Sequence, residues 1–118
     1  MCAVAIKFNQ NGKKEWERMF KKANFLVINS IKQTKDGNFI LSGAISKASN
    51  KQGWVAKIDK NAKLLNELNF GNRGLDIIND IIQTKDGSIA AAGETENNKE
   101  KVRNIWVVRF DKEFFQII

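Results

Sequence analysis

A self-repeat at a fixed offset constrains this chain more than any other feature, because repeat period decides architecture before local propensity does. Asn29-Ser30-Ile31-Lys32-Gln33-Thr34-Lys35-Asp36-Gly37 returns as Asn79-Asp80-Ile81-Ile82-Gln83-Thr84-Lys85-Asp86-Gly87, an offset of 50. Without a gap the match runs back through Phe20 and Phe70, Glu17 and Glu67, Lys13 and Lys63, to Lys7 and Lys57, and forward to Gly43 and Gly93. Between positions 4 and 43 it holds 14 identities in 40 pairs. Beyond Gly43 the register slips by two: Trp54-Val55-Ala56-Lys57-Ile58-Asp59 matches Trp106-Val107-Val108-Arg109-Phe110-Asp111 at an offset of 52. The extra residues lie between Gly93 and Trp106, so the chain reads as a partial unit over 1–20, a complete unit over 21–70 and a second over 71–118.

Each unit holds four short apolar or alternating runs bounded by turn residues, shown by Ile77 to Thr84, Ser88 to Thr95, Trp106 to Asp111 and, in the earlier copy, Leu64 to Phe70. Trp54, Ala56 and Ile58 alternate with Val55 and Lys57, which is the period of a strand and not of a helix. The expectation is an all-β chain of nine or ten strands with no helix longer than a turn or two. Asp36-Gly37 and Asp86-Gly87 close one hairpin per unit, since glycine accepts positive φ and Asp bonds nearby backbone. Asn9-Gln10-Asn11-Gly12 and Asp59-Lys60-Asn61-Ala62 make the other tight turn, and Asn61 is expected to take the left-handed conformation where Ala62 replaces glycine. Ala44 to Gly53 and Glu94 to Asn104, polar and unequal in length, read as long variable loops.

Trp-Val-x-Lys-hydrophobic-Asp, a turn, a strand ending in Phe-Gly, then Asp-Ile-x-Gln-Thr-x-Asp-Gly, an aliphatic run and Gly form one sequence pattern. Trp54, Lys57, Asp59, Phe70, Gly71, Asp76, Ile81, Thr84, Asp86, Gly87 and Gly93 fall on it. The pattern resembles the bacterial β-propeller repeats found in tandem in secreted and cell-envelope proteins. The resemblance implies four-stranded antiparallel blades used as scaffolding, with ligands met through loops. The first copy departs from it, with Lys21 in the place of Gly71 and Leu26 in the place of Asp76. Two and a half blades fall short of the roughly four needed to close a propeller. The expectation is therefore an incomplete propeller covered by self-association, by neighbouring blades, or by the rest of a longer protein.

Histidine is absent and cysteine occurs once, at Cys2, which excludes Ser-His-Asp triads, imidazole metal sites, multi-cysteine zinc sites and an intrachain disulfide. The reading is of a non-catalytic binding or scaffold module without a cofactor or metal site. Asn9, Asp59 and Asp111 precede turns, and the loop after Asp59 lacks the further carboxylates of a calcium site. Asp36, Gly37, Asp86, Gly87, Gly43 and Gly93 read as structural, as do Trp54 and Trp106, which recur at one repeat position and are expected in packing between blades. Lys51, Lys99, Lys101 and Arg103 fall in the variable loops and Arg73 in the loop Gly71 to Asp76 that enters the last unit, as Lys21 to Leu26 enters the one before; antiparallel alternation gathers all of these on one rim, and the five are the candidate contacts for a protein or polysaccharide ligand. A net charge of +7 opens a second reading, an anion or nucleic-acid binder, but no basic run with interleaved aromatics supports it, and a third reading is a fragment of a larger propeller with no function of its own. No apolar run reaches the roughly 18 residues of a membrane span. Met1 to Lys7 has no signal-peptide pattern, so the expected location is cytoplasmic for the chain as written, and cell envelope or secreted for a piece of a longer exported protein.

Overall fold

The computed structural model describes residues 2–21, 25–47, 50–71, 74–97 and 102–113. Within them lie nine strands and no helix: β1 Cys2–Phe8, β2 Lys14–Lys21, β3 Phe25–Gln33, β4 Phe39–Lys47, β5 Asn50–Ile58, β6 Leu64–Phe70, β7 Gly74–Gln83, β8 Ile89–Asn97 and β9 Val102–Phe110. The alternation that marks each run is satisfied by antiparallel neighbours. β1 pairs with β2, β3 to β6 form a four-stranded meander, and β7 to β9 form a three-stranded one. The two meanders touch edgewise at one parallel pair, Lys51 with Leu75. The described strands do not close into a ring.

Two apolar clusters lie between the layers, one on each side of the middle meander. Leu26, Leu41, Ile45, Trp54, Ala56 and Ile58 of that meander meet Ala3, Ala5 and Phe20 of the β1–β2 hairpin. On the other side, Ile40 and Val55 meet Ile78, Ile81, Ile89, Ala91, Val108 and Phe110. Strand alternation makes this possible, because neighbours such as Trp54 and Val55 point to opposite sides and both are wholly buried. Trp54 packs edge-on against Phe20, with ring centroids 5.8 Å apart, and its indole N–H donates to Glu67 at 2.7 Å. Trp106, its repeat counterpart, is half-buried against the second cluster.

The tight turns obey one geometry. In each, the first residue's amide donates to the carbonyl four residues on, as Asn9 to Lys13, Thr34 to Asn38, Asp59 to Lys63 and Thr84 to Ser88. Gly12, Gly37 and Gly87 have φ of 83°, 89° and 88°. The expectation for the Asp59 turn is wrong in detail: Ala62 itself, and not Asn61, takes positive φ, at 72°. The Asp59 carboxylate accepts from the amides of Asn61 and Lys63, as Asn9 does from Asn11 and Lys13. That bonding fixes which residue turns left-handed. The strain of about 1–2 kcal/mol for a non-glycine residue is offset by the Ala62 methyl group, which is buried in the first cluster.

The stretches expected as long loops are mostly strand. β4 and β5 stay paired out to Lys47 and Asn50, and β8 and β9 out to Asn97 and Val102. Polar composition marked them as loops, but a hairpin tip that overhangs solvent needs only backbone pairing, and Ser, Asn and Lys supply that as well as apolar residues do.

A register shift recurs with the repeat. Ile28 faces Gly43 and Ser30 faces Ser42, leaving Asn29 as the extra residue of a β-bulge; Ile78 faces Gly93 and Asp80 faces Ala92, leaving Asn79. A methyl group on Gly43 would lie 1.7 Å from the Val27 carbonyl oxygen, and one on Gly93 would lie 1.9 Å from that of Ile77. Gly43→Ala and Gly93→Ala are therefore expected to destabilise the fold by about 3 kcal/mol each through overpacking against backbone. Gly37→Ala, where open space surrounds the position, should cost only about 1 kcal/mol of φ strain. Urea titration of the three variants checks this, and equal losses would contradict it.

Candidate functional site

Alternating strand direction divides the molecule into two rims. At one lie the tight turns; at the other lie the ends of β2, β4, β6 and β8 and the starts of β3, β5, β7 and β9.

The turn rim is occupied by bonds within the chain. The Thr34 hydroxyl donates to the Asp36 carboxylate, which also accepts from the Asn38 amide, and Thr84, Asp86 and Ser88 repeat the arrangement. Lys57 lies 4.0 Å from Asp36, and Arg109, its repeat counterpart, lies 2.9 Å from Asp86. The Thr34 hydroxyl is the main cause that holds the Asp36 carboxyl below its ordinary value. Asp86 is brought down to about 2, first by Thr84, then by Ser88 and Arg109. The Lys35 amide donates to Gln83 at 2.8 Å and its ammonium group bonds the Lys85 carbonyl, so the two Thr-Lys-Asp-Gly turns lie side by side. Further along β3 and β7, Ser30 and Lys32 both donate to Asp80 at 2.7 Å, and with the Ile81 amide they hold Asp80 at about 2, the Lys32 bond contributing most. Asp36 belongs to the second unit and Asp80 and Asp86 to the third, and each is bonded to partners of its own.

At the open rim, Lys51 lies over the Phe25 ring at 4.6 Å from its centroid, joining the starts of β5 and β3. Arg103 begins β9 opposite Glu96, 3.8 Å away, and its side chain is 67% exposed. These two candidate contacts thus fall on one rim, on different meanders. Arg73, Lys99 and Lys101 lie outside the described residues. Asp76, two positions into β7, is buried and accepts from the Thr95 hydroxyl. A methyl group on Gly71 would lie 2.3 Å from the Asp76 carboxylate, which is why glycine and Asp occur together there, whereas Lys21 and a buried Leu26 stand in the earlier unit. Phe25 and Asp76 fall in the entry stretches 21–26 and 71–76 expected on this rim, although neither is among the five candidate contacts; the departure of the two copies from each other at these positions is the signal that marks them.

The remaining candidates take structural places. Asn9, Asp59 and Asp111 each accept from the amide two residues on. Among the described residues no group of three or more His, Cys, Asp or Glu could hold a metal ion. Trp16 donates to the Lys60 carbonyl at 2.9 Å and meets Phe39 edge-on, bracing the hairpin against the middle meander. Cys2 opens β1, and its side chain lies outside the described residues. No helix of the described residues is long and apolar enough to cross a membrane. No protein-family model and no curated protein matches the chain.

Because Asp80 and Asp86 fold to about 2 from an ordinary 3.8, their contribution to stability is complete above about pH 4 and is lost as pH falls from there towards 2. The urea midpoint is expected to drop over that window, and Asp80→Asn to make the drop smaller while lowering the midpoint at neutral pH. A variant with an unchanged acid slope would show that the Lys32–Asp80 contact does not form in solution.

Proposed function

We propose that this chain is a non-catalytic binding or scaffold module built from propeller-type blades, and that its open rim recognises a protein or polysaccharide. One observation carries the reading. The two copies share their tight turns, bulges and packed faces, and they differ at the open rim, in the length of 94–105 and in the pairs Lys21/Gly71 and Leu26/Asp76. A rigid repeated frame with variation gathered on one edge is how loop-borne recognition is organised. The turn rim is the poorer candidate, since Asp36, Asp80 and Asp86 are engaged by Thr34, Lys32 and Thr84, and Lys35 by the Lys85 carbonyl. The resemblance to bacterial propeller repeats supports the same assignment, with strands as scaffolding and ligand specificity in the rim.

The basic excess motivates the competing reading of an anion or nucleic-acid binder, and salt separates the two. The test is binding to a panel of soluble polysaccharides and to single- and double-stranded nucleic acid at low and physiological salt. The triple variant Lys51→Glu, Arg73→Glu, Arg103→Glu is measured beside the parent, with circular dichroism to confirm the fold. The expected result is a polysaccharide or protein ligand whose affinity changes little with salt and falls by about ten-fold or more in the variant. Binding only to nucleic acid with a steep loss on adding salt would replace this reading by the other, and ligand binding indifferent to all three substitutions would remove the open rim.

A further inference from the structure

Repeat equivalence shows what the outer faces of the array are built to touch. In the middle meander, Ile40, Ser42 and Val55 point towards the third unit and are wholly buried by it. Their counterparts in the third unit are Ala90, Ala92 and Val107, and on that face Val107 is 67% exposed and its neighbour Ile105 84%. A shallow cleft of about 190 Å³ runs there, lined by Ile81, Ile82, Ala90, Ala92 and Val107 with Asp80 at its end. Exposed aliphatic residues in a row on one sheet face form a contact patch and not a solvated surface.

At the opposite end the complementary pattern holds. Val108 and Phe110 of β9 are buried in one cluster with Val55 and Ile40, together with Ile78, Ile81, Ile89 and Ala91 of β7 and β8. Counted back through the two repeat offsets, the counterparts of Val108 and Phe110 in the first hairpin are Ile6 and Phe8. Those are 45% and 56% exposed, beside exposed Val4 and Met19. One end of the molecule thus carries the knobs of the internal interface and the other end carries its floor.

We infer that a second copy of this chain docks head to tail, its Val4, Ile6 and Phe8 seated on the face made by Ala90, Ala92, Ile105 and Val107. The occupant is a second copy because the contact repeats one the chain already makes internally, with the same strand on the same floor. The two patches are different surfaces, so the association is heterologous and adds copies in one direction until the rotation closes. The half-unit β1–β2 brings the outer strands of a meander and covers the outer part of the floor. The contact is apolar while each chain carries +7, so added salt screens the repulsion and strengthens it, opposite to the effect on an anion-binding site. The inference rests on the reading of the chain as repeated units and not on the open rim, so a failure of the rim substitutions to alter ligand binding leaves it standing.

Sedimentation equilibrium over a wide concentration range tests it on the full chain. The expected mass rises above 13.4 kDa with concentration and rises further with salt. Val107→Asp and Phe8→Asp, at exposed positions where the fold is not at stake, should each restore the single-chain mass, whereas Leu65→Asp on the outermost strand β6 should not. In a Cys2→Ser background, mixing an Ile6→Cys chain with a Val107→Cys chain should give a mixed disulfide, and pairing Leu65→Cys with Val107→Cys should not. A concentration-independent single-chain mass, or an oligomer that survives both Val107→Asp and Phe8→Asp, would overturn the inference, the first pointing to a covering unit other than a second copy.

Discussion

β3 and β7, the first strands of the second and third units, come within contact distance of each other, and the β-bulge at Asn29 and Asn79 is the device that lets them. A bulge re-aims the strand and raises its twist. It also pushes the Val27 and Ile77 carbonyls against the next strand, which only the missing side chains of Gly43 and Gly93 allow. The amide group of Asn29 then donates to the carbonyl of Ile78 at 2.9 Å, a bond from the bulge of one unit to the bulge of the next. Ser30 and Lys32 to Asp80, and Lys35 to Lys85, continue that seam towards the turn rim. Without the bulge the two strands would present their side chains, and not their backbones, to each other.

Once the seam sets the relation between units, the clusters on either side of the middle meander follow. Each strand serves two interfaces at once, so Trp54 and Ala56 belong to one cluster and Val55 to the other. The consequence is that both faces of the middle meander are committed to packing. The turn rim is bound to itself, and the apolar faces are shaped by the repeat. What is left to differ from copy to copy is the open rim, where Lys51 and Phe25, Arg103 and Glu96, and Asp76 with Gly71 have no repeat-wide template.

Much of this was legible in the residues. Turn glycines, the alternation in β5 and β9 and the offset of 50 are local signals, and they placed the strands and hairpins. Asn29 was not legible as a bulge, because an extra residue in a strand leaves the composition unchanged and only Gly43 opposite it carries a hint. The left-handed Ala62 escaped for a related reason: the turn's hydrogen bonds outweigh the preference of the residue at that position. The extended hairpins escaped because polarity was taken for looseness, although backbone pairing is indifferent to it. Nor does periodicity alone say which apolar residues end up bare, since Val55 and Val107 are equivalent in sequence and differ only in what lies against them.

The account stands on the seam between bulges, and a comparison of two substitutions at equivalent positions tests it most directly. Asn29 bridges to Ile78 through its side-chain amide, whereas Asn79 occupies the same place in the third unit and meets no further bulge among the described residues. Equilibrium unfolding in urea should show Asn29→Ala less stable than the parent by about 1 kcal/mol, the usual loss for one such hydrogen bond, and Asn79→Ala, under conditions where the chain is a single molecule, close to the parent. Equal losses at the two positions, or none at Asn29, would contradict the claim that the bulge-to-bulge bond holds the units in register.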